Sequence, residues 1–236
     1  MLFFYIRHGD PIYEPDSLTP LGEKQAEALS KRLASFGLDK IYCSTSNRAL
    51  LTAKPTCEKL GVSPLLCDWA HESIAWKNFT YLDDGHRGWM FEHPSRMKLF
   101  AREDVLALDE KWYEHELFKD YNYKAELERI KKASDELFLS LGYEHIGRGR
   151  YKVVRHNDER VGFFAHQGFG LIFLSLLLNI PYSEFCMRFD LSHSSVTVIE
   201  FEEVDGLCIP RICSLSNDSH LYKEGLPTLY NERFKF

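Results

Sequence analysis

Hydrophobic positions near the start of the chain alternate between short continuous runs and helically spaced ones. The runs at residues 2–6 and 41–43 are typical of strands that are covered on both faces. Residues 20–36 and 48–60 instead carry apolar side chains at helical spacing, and a glycine follows each of these stretches. This order of strand, helix, strand and helix predicts a parallel sheet with helices packed against it.

The second half of the chain continues this pattern. Helices are predicted over residues 124–141 and 168–178 by their apolar spacing. Strands are predicted at residues 151–155, 160–165, 196–201 and about 208–213. The polar turn between the first two strands favours a hairpin, and the last two are expected to form an antiparallel edge. The fold class is therefore α/β, a three-layer α/β/α arrangement around a central mixed, mostly parallel sheet.

Residues from about 70 to 123 interrupt the alternation, because their many aromatic and charged side chains follow no strand period. We interpret this stretch as a mostly helical, lid-like insertion. No repeat or linker rich in proline and glycine divides the chain into two folding units. The sequence therefore predicts a single domain over residues 1–236 with a lid at about 70–123.

Composition and charge narrow the possible partners. The 236 residues include 29 basic and 35 acidic side chains, a formal charge of -6, which disfavours a nucleic-acid partner. No apolar run approaches the roughly 20 residues that span a bilayer, so no membrane partner is expected. Six cysteines without CxxC spacing are typical of reduced thiols in a cytoplasmic protein. In a negatively charged protein, an anion site needs a few focused cations.

Candidate cations and imidazoles follow the predicted strands. Arg7 and His8 end the first strand, His166 ends the strand at 160–165, and Arg48 lies in the first turn of a helix. In open α/β sheets this edge binds ligands. Guanidinium groups together with a helix N-terminus suit a phosphate group, so a small-molecule phosphate ester is the expected substrate.

An ordered set of motifs now resembles a known family. Arg7-His8-Gly9, Leu18-Thr19 before a helix, the segment STSNRALLTA at residues 44–53 and Ala165-His166 are similar to the histidine phosphatase superfamily, in its phosphoglycerate mutase-like branch 1. The resemblance extends through residues 197–201 and covers 76–123 only loosely. It implies a phosphomonoester hydrolase of the histidine acid phosphatase type that acts through a phosphohistidine on His8. Arg7, Arg48 and His166 would bind the phosphoryl group, without a metal or another cofactor.

The same resemblance implies a general acid about two dozen residues after the second arginine. Glu72 lies 24 residues after Arg48 and is our candidate, while Asp68 stays open as the alternative. The carboxyl must be protonated near neutral pH, which desolvation by Trp69 and Trp76 would favour. Glu14 stands where many relatives carry an asparagine, so phosphate contacts from that loop also stay open.

Two other functions are compatible with these residues. One is a phosphoglycerate mutase-type phosphoryl transferase, and the other is a catalytically silent protein that binds a phosphorylated ligand. A mutase retains a bisphosphorylated intermediate, and the lid offers few cations for it, which favours hydrolysis. These cations are Lys77, Arg87, Arg96 and Lys98.

Other lid residues are interpreted as structural. Aromatic side chains in a lid usually pack its core, so Trp76, Trp89 and Phe91 are left out of the predicted site, as is Arg87. Asp83, Asp84 and His86 lack further ligands at fixed spacing, and we interpret them as a solvated turn rather than a metal site. The natural substrate and the oligomeric state stay open, although an edge strand would permit a homodimer.

Overall fold

The protein was analysed as a computed structural model that describes residues 1–83, 85–92 and 94–231. The cluster of Asp83, Asp84 and His86 lies outside the described side chains. In the described part of the chain, no helix is long and apolar enough to cross a membrane.

Fourteen strands are described. Their bounds are β1 Leu2–Arg7, β2 Pro11–Ile12, β3 Ser17–Leu18, β4 Lys40–Ser44, β5 Leu65–Cys67, β6 Thr80–Asp83, β7 His86–Trp89, β8 Tyr143–His145, β9 Tyr151–Val153, β10 Arg160–Ala165, β11 Val196–Glu200, β12 Glu203–Val204, β13 Leu207–Cys208 and β14 Arg211–Asn217.

Nine α-helices are described together with four short 3-10 helices. The α-helices are α1 Pro20–Phe36, α2 Asn47–Leu60, α3 Glu72–Phe79, α4 Pro94–Phe100, α5 Glu103–Leu106, α6 Tyr123–Ser140, α7 Gln167–Leu178, α8 Tyr182–Arg188 and α9 Ser219–Lys223. The 3-10 helices are Asp68–Ala70, Met90–Glu92, Asp109–Glu114 and Glu116–Phe118.

The central sheet has six strands in the order β14-β11-β1-β10-β4-β5. Strands β1, β10, β4 and β5 run parallel, whereas β11 is antiparallel to β1 and β14 is antiparallel to β11. The predicted mixed, mostly parallel sheet and its antiparallel edge are thus confirmed. Because the four parallel strands end at one edge, the residues that follow them are gathered there.

The side chains of strand β1 show that both faces of the sheet are covered. Its side chains alternate, so that Phe3 and Tyr5 join one buried cluster while Phe4 and Ile6 join another. The first cluster includes apolar residues of α6 and α7, and the second includes those of α1 and α2. The three-layer α/β/α architecture expected from the sequence is confirmed.

A close backbone approach fixes the start of α1 against the loop after β1. The Thr19 hydroxyl caps α1 by accepting the Gly22 N–H at 3.0 Å. A Cβ atom added to Gly22 would lie only 2.2 Å from the Asp10 carbonyl oxygen, and one added to Gly9 would lie 2.8 Å from the Gly22 carbonyl oxygen. Glycine at both positions therefore lets the helix hold the loop that follows His8.

The predicted hairpin between residues 151–155 and 160–165 is wrong. Strand β9 pairs with β8 and β13 in a separate four-stranded sheet, whereas β10 pairs in parallel with β1 and β4. The reason is burial, because β10 is buried at every position after Arg160 and so needs a central place, while β9 is only partly buried. The strand expected over 208–213 is likewise divided between β13 and β14.

The stretch expected to be a lid contains the helices α3, α4 and α5 and also an unpredicted hairpin of β6 and β7. Some of its aromatic side chains pack against one another and against neighbouring helices. Trp112 is 1% exposed, with its ring centroid 5.3 Å from that of Phe100 and 4.9 Å from that of Tyr123. This aromatic core fixes the inserted segment next to α6 and α8.

Candidate active site

The two strand-end histidines meet at the carboxyl edge of the sheet. Arg7 pairs in register with Ala165, so His8 and His166 follow neighbouring parallel strands and their ring centroids lie 5.2 Å apart. His8 lines a cavity of about 640 Å³ together with Arg7, Arg48 and Glu72, and His166 lies buried behind this lining. The structure therefore brings together all five residues selected from the sequence.

His8 is buried, with 1% of its surface exposed, and its ring orientation is fixed by a backbone contact. Its Nδ1 lies 2.7 Å from the Gly9 carbonyl oxygen. Because a carbonyl only accepts, Nδ1 must donate, which leaves the lone pair on Nε2. Burial, and then the nearby charge of Arg48, lowers the pKa of His8 well below its ordinary value. The imidazole is therefore neutral at neutral pH.

Two buried guanidinium groups flank this imidazole. Arg7 donates to the Leu191 carbonyl oxygen and to the Asn231 side-chain oxygen. Arg48 donates to Asp16 Oδ1 at 2.8 Å and to Glu72 Oε2 at 2.9 Å. Within the described residues, the buried Nε of each arginine has no acceptor. Unpaired donors and concentrated positive charge in a buried site favour the binding of an anion.

His166 is completely buried and is held from three directions. Its Nε2 lies 2.8 Å from the Ser44 hydroxyl oxygen, and its carbonyl accepts the Tyr5 hydroxyl at 2.6 Å. Its Nδ1 lies 3.6 Å from Glu72 Oε2. Burial, and then the charge of Arg48, lowers the pKa of His166 well below its ordinary value. A neutral, immobilised imidazole therefore lies beside His8 and Glu72.

Glu72 begins helix α3 and directs its carboxyl group into the cavity. It is 8% exposed, and its Oε1 accepts the backbone N–H of Gly168 at 2.9 Å, in the first turn of α7. Asp68, the alternative acid, is exposed on the 3-10 helix Asp68–Ala70 and does not line the cavity. Geometry thus places Glu72, and not Asp68, beside the two histidines.

The sequence analysis did not select His193, Asp16 or Asn231, which the structure places at the site. His193 is 2% exposed, its ring centroid lies 6.0 Å from that of His8, and its Nδ1 lies 3.3 Å from Asp10 Oδ1. Asp16 and Asn231 hold the two arginines. The position of His193 in the sequence could have indicated its role. It precedes β11, and because β11 is antiparallel to β1, the start of β11 lies beside the end of β1. No local pattern marks Asn231.

The segment at residues 70–123 contributes two indoles that the sequence predicts to pack in its core. Trp76 and Trp89 line the cavity, with ring centroids 5.2 Å apart. Trp89 also packs in the buried hydrophobic cluster, as predicted, whereas Trp76 is 37% exposed at the cavity. Phe91 stacks on Trp89 at 5.6 Å and does pack. Arg87 instead donates to the Thr80 hydroxyl. Glu92, which the sequence analysis did not select, also lines the cavity.

The two histidines and Glu72 also need to be considered as metal ligands. One ligand atom from each of His8, Glu72 and His166 lies within 4.8 Å of the others. Arg7 and Arg48, however, place two positive charges on the same cavity, and Arg48 already occupies Glu72 Oε2. Coulombic repulsion from these cations opposes a divalent metal ion and favours an anion.

Comparisons with known proteins agree with this geometry. Residues 4–84 match the family model of the histidine phosphatase superfamily (branch 1), which confirms the resemblance expected from the sequence. Compared by sequence with curated proteins, the chain has no significant match.

Solved structures resemble the chain over nearly its whole length. A mycobacterial glucosyl-3-phosphoglycerate phosphatase superposes with a TM-score of 0.58 at 21% identity, covering 91% of this chain and 98% of that one. A phosphoserine phosphatase from Entamoeba histolytica gives 0.60 at 18% identity, covering 93% and 98%. The alpha-ribazole phosphatase from Shigella flexneri gives 0.58 at 18% identity, covering 92% and 97%. At these identities the likeness establishes a shared fold.

Proposed function

We propose that this chain, with its histidine phosphatase fold and the family's N-terminal motif region, is a phosphomonoester hydrolase that acts through a phosphohistidine on His8. The observation that carries the proposal is the tautomer of His8. The contact of Nδ1 with the Gly9 carbonyl leaves the lone pair on Nε2, in a cavity that two arginines line. A neutral nucleophile beside two fixed cations suits attack on a phosphate ester.

The first step transfers the phosphoryl group to the enzyme. His8 Nε2 forms a bond to phosphorus as the bond from phosphorus to the ester oxygen breaks, and that oxygen keeps the electron pair. Arg7, Arg48 and His166 hold the phosphoryl oxygens and stabilise the charge of the transition state. The N-terminus of α7, whose Gly168 N–H points at the site, adds a positive dipole.

Glu72 supplies the proton for the leaving oxygen in this proposal. In the free site its carboxylate holds Arg48 and the Gly168 N–H. A phosphate group that takes over these donors also brings negative charge next to Glu72, which favours proton uptake by the carboxyl. After the alcohol leaves, the Glu72 carboxylate accepts a proton from water, which attacks phosphorus and releases phosphate and neutral His8.

The distribution of cations favours hydrolysis over mutase activity. A mutase must retain a second anionic group in the closed cavity, whereas the described lining has no arginine or lysine besides Arg7 and Arg48. The four lid cations weighed from the sequence lie elsewhere, and Arg96, for example, lies over the Tyr81 ring at 4.4 Å. Water is therefore the expected acceptor of the phosphoryl group.

The test is release of phosphate from para-nitrophenyl phosphate by the protein and by its His8→Ala variant, with EDTA present. We expect turnover that the chelator does not change and that falls at least about a thousandfold in His8→Ala. Rapid quenching with a radiolabelled ester should trap acid-labile label on the protein but not on the variant.

The matched control is His156→Ala, because His156 is an exposed histidine far along the chain that contacts Asp158 and Glu203. It should keep the full rate. Turnover that survives in His8→Ala, or that disappears with EDTA, would contradict a metal-independent histidine nucleophile.

A further inference from the structure

The cavity has two chemically different sides. Its positive charge is concentrated around His8, where Arg7 and Arg48 lie. Trp76, Trp89 and Glu92 form a second group in the lining, because the two ring centroids are 5.2 Å apart and the Trp89 backbone N–H donates to Glu92 Oε2 at 3.2 Å. We call this group the indole–carboxylate corner. Because His8 takes the phosphoryl group in the proposed function, the corner faces the group that leaves.

Asn231 marks the boundary between the two sides. Its side-chain oxygen accepts from Arg7, while its Nδ2 donates to Glu92 Oε1 at 3.0 Å and to Gln167 Oε1 at 2.7 Å. One amide thus separates the guanidinium from the carboxylate. The acidic group is therefore fixed on the leaving-group side and is not neutralised by direct contact with Arg7.

Glu92 has only neutral hydrogen-bond donors among the contacts of the described residues. Besides Asn231, the backbone N–H of Trp89 donates to its Oε2 at 3.2 Å, and no lysine, arginine or histidine in the described part lies within 4.0 Å. Burial raises the pKa of Glu92, and this effect outweighs the opposing effect of the Arg7 charge, which lies beyond Asn231 and makes no direct contact with the carboxylate. A cationic ligand would supply a counter-ion in direct contact.

The two indoles add a second preference for positive charge. Trp89 is 5% exposed and is backed by Phe91, whereas Trp76 is 37% exposed, and the two rings meet edge to face at 83°. Indole faces attract ammonium groups, quaternary ones included, through the negative charge of their π systems. A carboxylate beside two indoles is the chemistry of an ammonium-binding site.

We propose that the indole–carboxylate corner binds an ammonium group, and that the substrate is the phosphate monoester of an alcohol that carries a positively charged nitrogen. The inference rests on the proposed phosphatase function and specifies its substrate class. Esters whose leaving group carries a carboxylate would meet Glu92 without a cation to bind them, and they should be poor substrates.

The test compares two esters that differ in one atom. Phosphocholine carries a quaternary nitrogen, and 3,3-dimethylbutyl phosphate replaces that nitrogen by carbon at nearly the same shape. We expect wild-type kcat/KM to be higher for phosphocholine by about tenfold or more, and lowest for phosphoglycolate, which carries a carboxylate. The ratio for two substrates of one preparation does not depend on the fraction of active protein.

Glu92→Gln should lower the ratio for phosphocholine over the neutral ester by about tenfold, because it removes the counter-charge. Trp76→Leu is a second variant at an exposed position, and it should lower the same ratio by about threefold or more. The matched control is Glu114→Gln, which removes an exposed lid carboxylate outside the cavity and should leave the ratio unchanged.

A wild-type ratio near one, a preference for phosphoglycolate, or a ratio unchanged in both variants would overturn the ammonium site. If para-nitrophenyl phosphate is still hydrolysed through His8, the phosphatase function would stand in each of these cases. If no ester is hydrolysed, including para-nitrophenyl phosphate, the proposed function fails and the substrate class fails with it.

Discussion

A single residue, Glu72, contacts Arg48, helix α7 and His166 in the candidate site. One oxygen binds Arg48 at 2.9 Å, and the other accepts the Gly168 N–H at 2.9 Å. The same carboxyl group therefore positions Arg48 and the start of α7 while it lies 3.6 Å from His166 Nδ1. Its proposed role as proton donor must be separated from this structural one.

Replacing Glu72 by glutamine separates the two roles, because an amide still hydrogen-bonds but cannot supply the proton. We expect kcat for a simple alkyl phosphate to fall by about 10²–10⁴-fold, the usual contribution of a general acid. The fall with para-nitrophenyl phosphate should be far smaller, since the nitrophenolate leaves without protonation. Steady-state rates on both esters measure the difference.

The exposed carboxyl of Asp68 provides the control for this prediction, and Asp68→Asn should change neither rate appreciably. Equal losses on both esters in Glu72→Gln would mean that Glu72 acts by holding Arg48 and not by donating a proton.

The close contact between helix α1 and the loop after β1 should matter for both stability and activity. Gly22→Ala would place a methyl group about 2.2 Å from the Asp10 carbonyl oxygen, a backbone atom that cannot move without shifting the loop after His8. We expect a loss of about 1–3 kcal/mol in the free energy of unfolding, together with a reduced phosphatase rate. Denaturant titration and turnover of para-nitrophenyl phosphate measure the two effects.

Lys24→Ala is the comparison, because Lys24 is exposed two positions further along the same helix. It should change stability by no more than about 0.5 kcal/mol. If the two variants are equally stable and active, the close approach of α1 does not position the loop.

Much of the fold can be predicted from patterns of residues that lie close together in the sequence. The caps and glycine stops of α1 and α2 depend on residues a few positions apart, so the sequence predicts them directly. Pairing of β10 with β1 depends on residues about 158 positions apart, and the turn-rich segment before β10 favoured the wrong hairpin. The hairpin of β6 and β7 is short and lies among irregular residues, where no period distinguishes strand from loop.

The same limit applies to the candidate site. Arg7, His8 and His166 were predicted because parallel strands deliver their ends to a common edge. Asp16 and Asn231 reach the arginines through loops, and their contacts exist only after the whole chain has folded. Trp76 and Trp89 have the composition of a core, and only the structure shows which of their surfaces faces the cavity.

Buried histidines make the stability of the whole molecule depend on pH. Burial, and then the charge of Arg7, lowers the pKa of His193 to about 4. Burial, and then the charge of Arg32, lowers the pKa of His220 to about 4 as well. In the unfolded chain these side chains bind a proton near pH 6.5, whereas in the folded protein they do so only near pH 4. Stability is therefore present above pH 6.5 and is lost as pH falls toward 4.

Each of these two histidines should reduce the free energy of unfolding by about 2 kcal/mol between pH 7 and pH 5. Urea titrations at both pH values measure the total loss, to which His8 and His166 add with the same sign. His220→Gln removes one contributor away from the active site, so its stability should change less with pH than that of wild type. An identical pH dependence in the variant would contradict the linkage.

The central position of β1 affects how the chain is made. Its two neighbours in the sheet are β10 and β11, so during synthesis β1 can complete its pairing only after residues 160–200 have followed. At 5–20 residues per second this takes roughly 10–40 s. Until β10 and β11 are both made, the apolar run Leu2-Phe3-Phe4-Tyr5-Ile6 lacks a full set of hydrogen-bonding partners. The nascent chain is therefore vulnerable to aggregation until these two strands enclose β1.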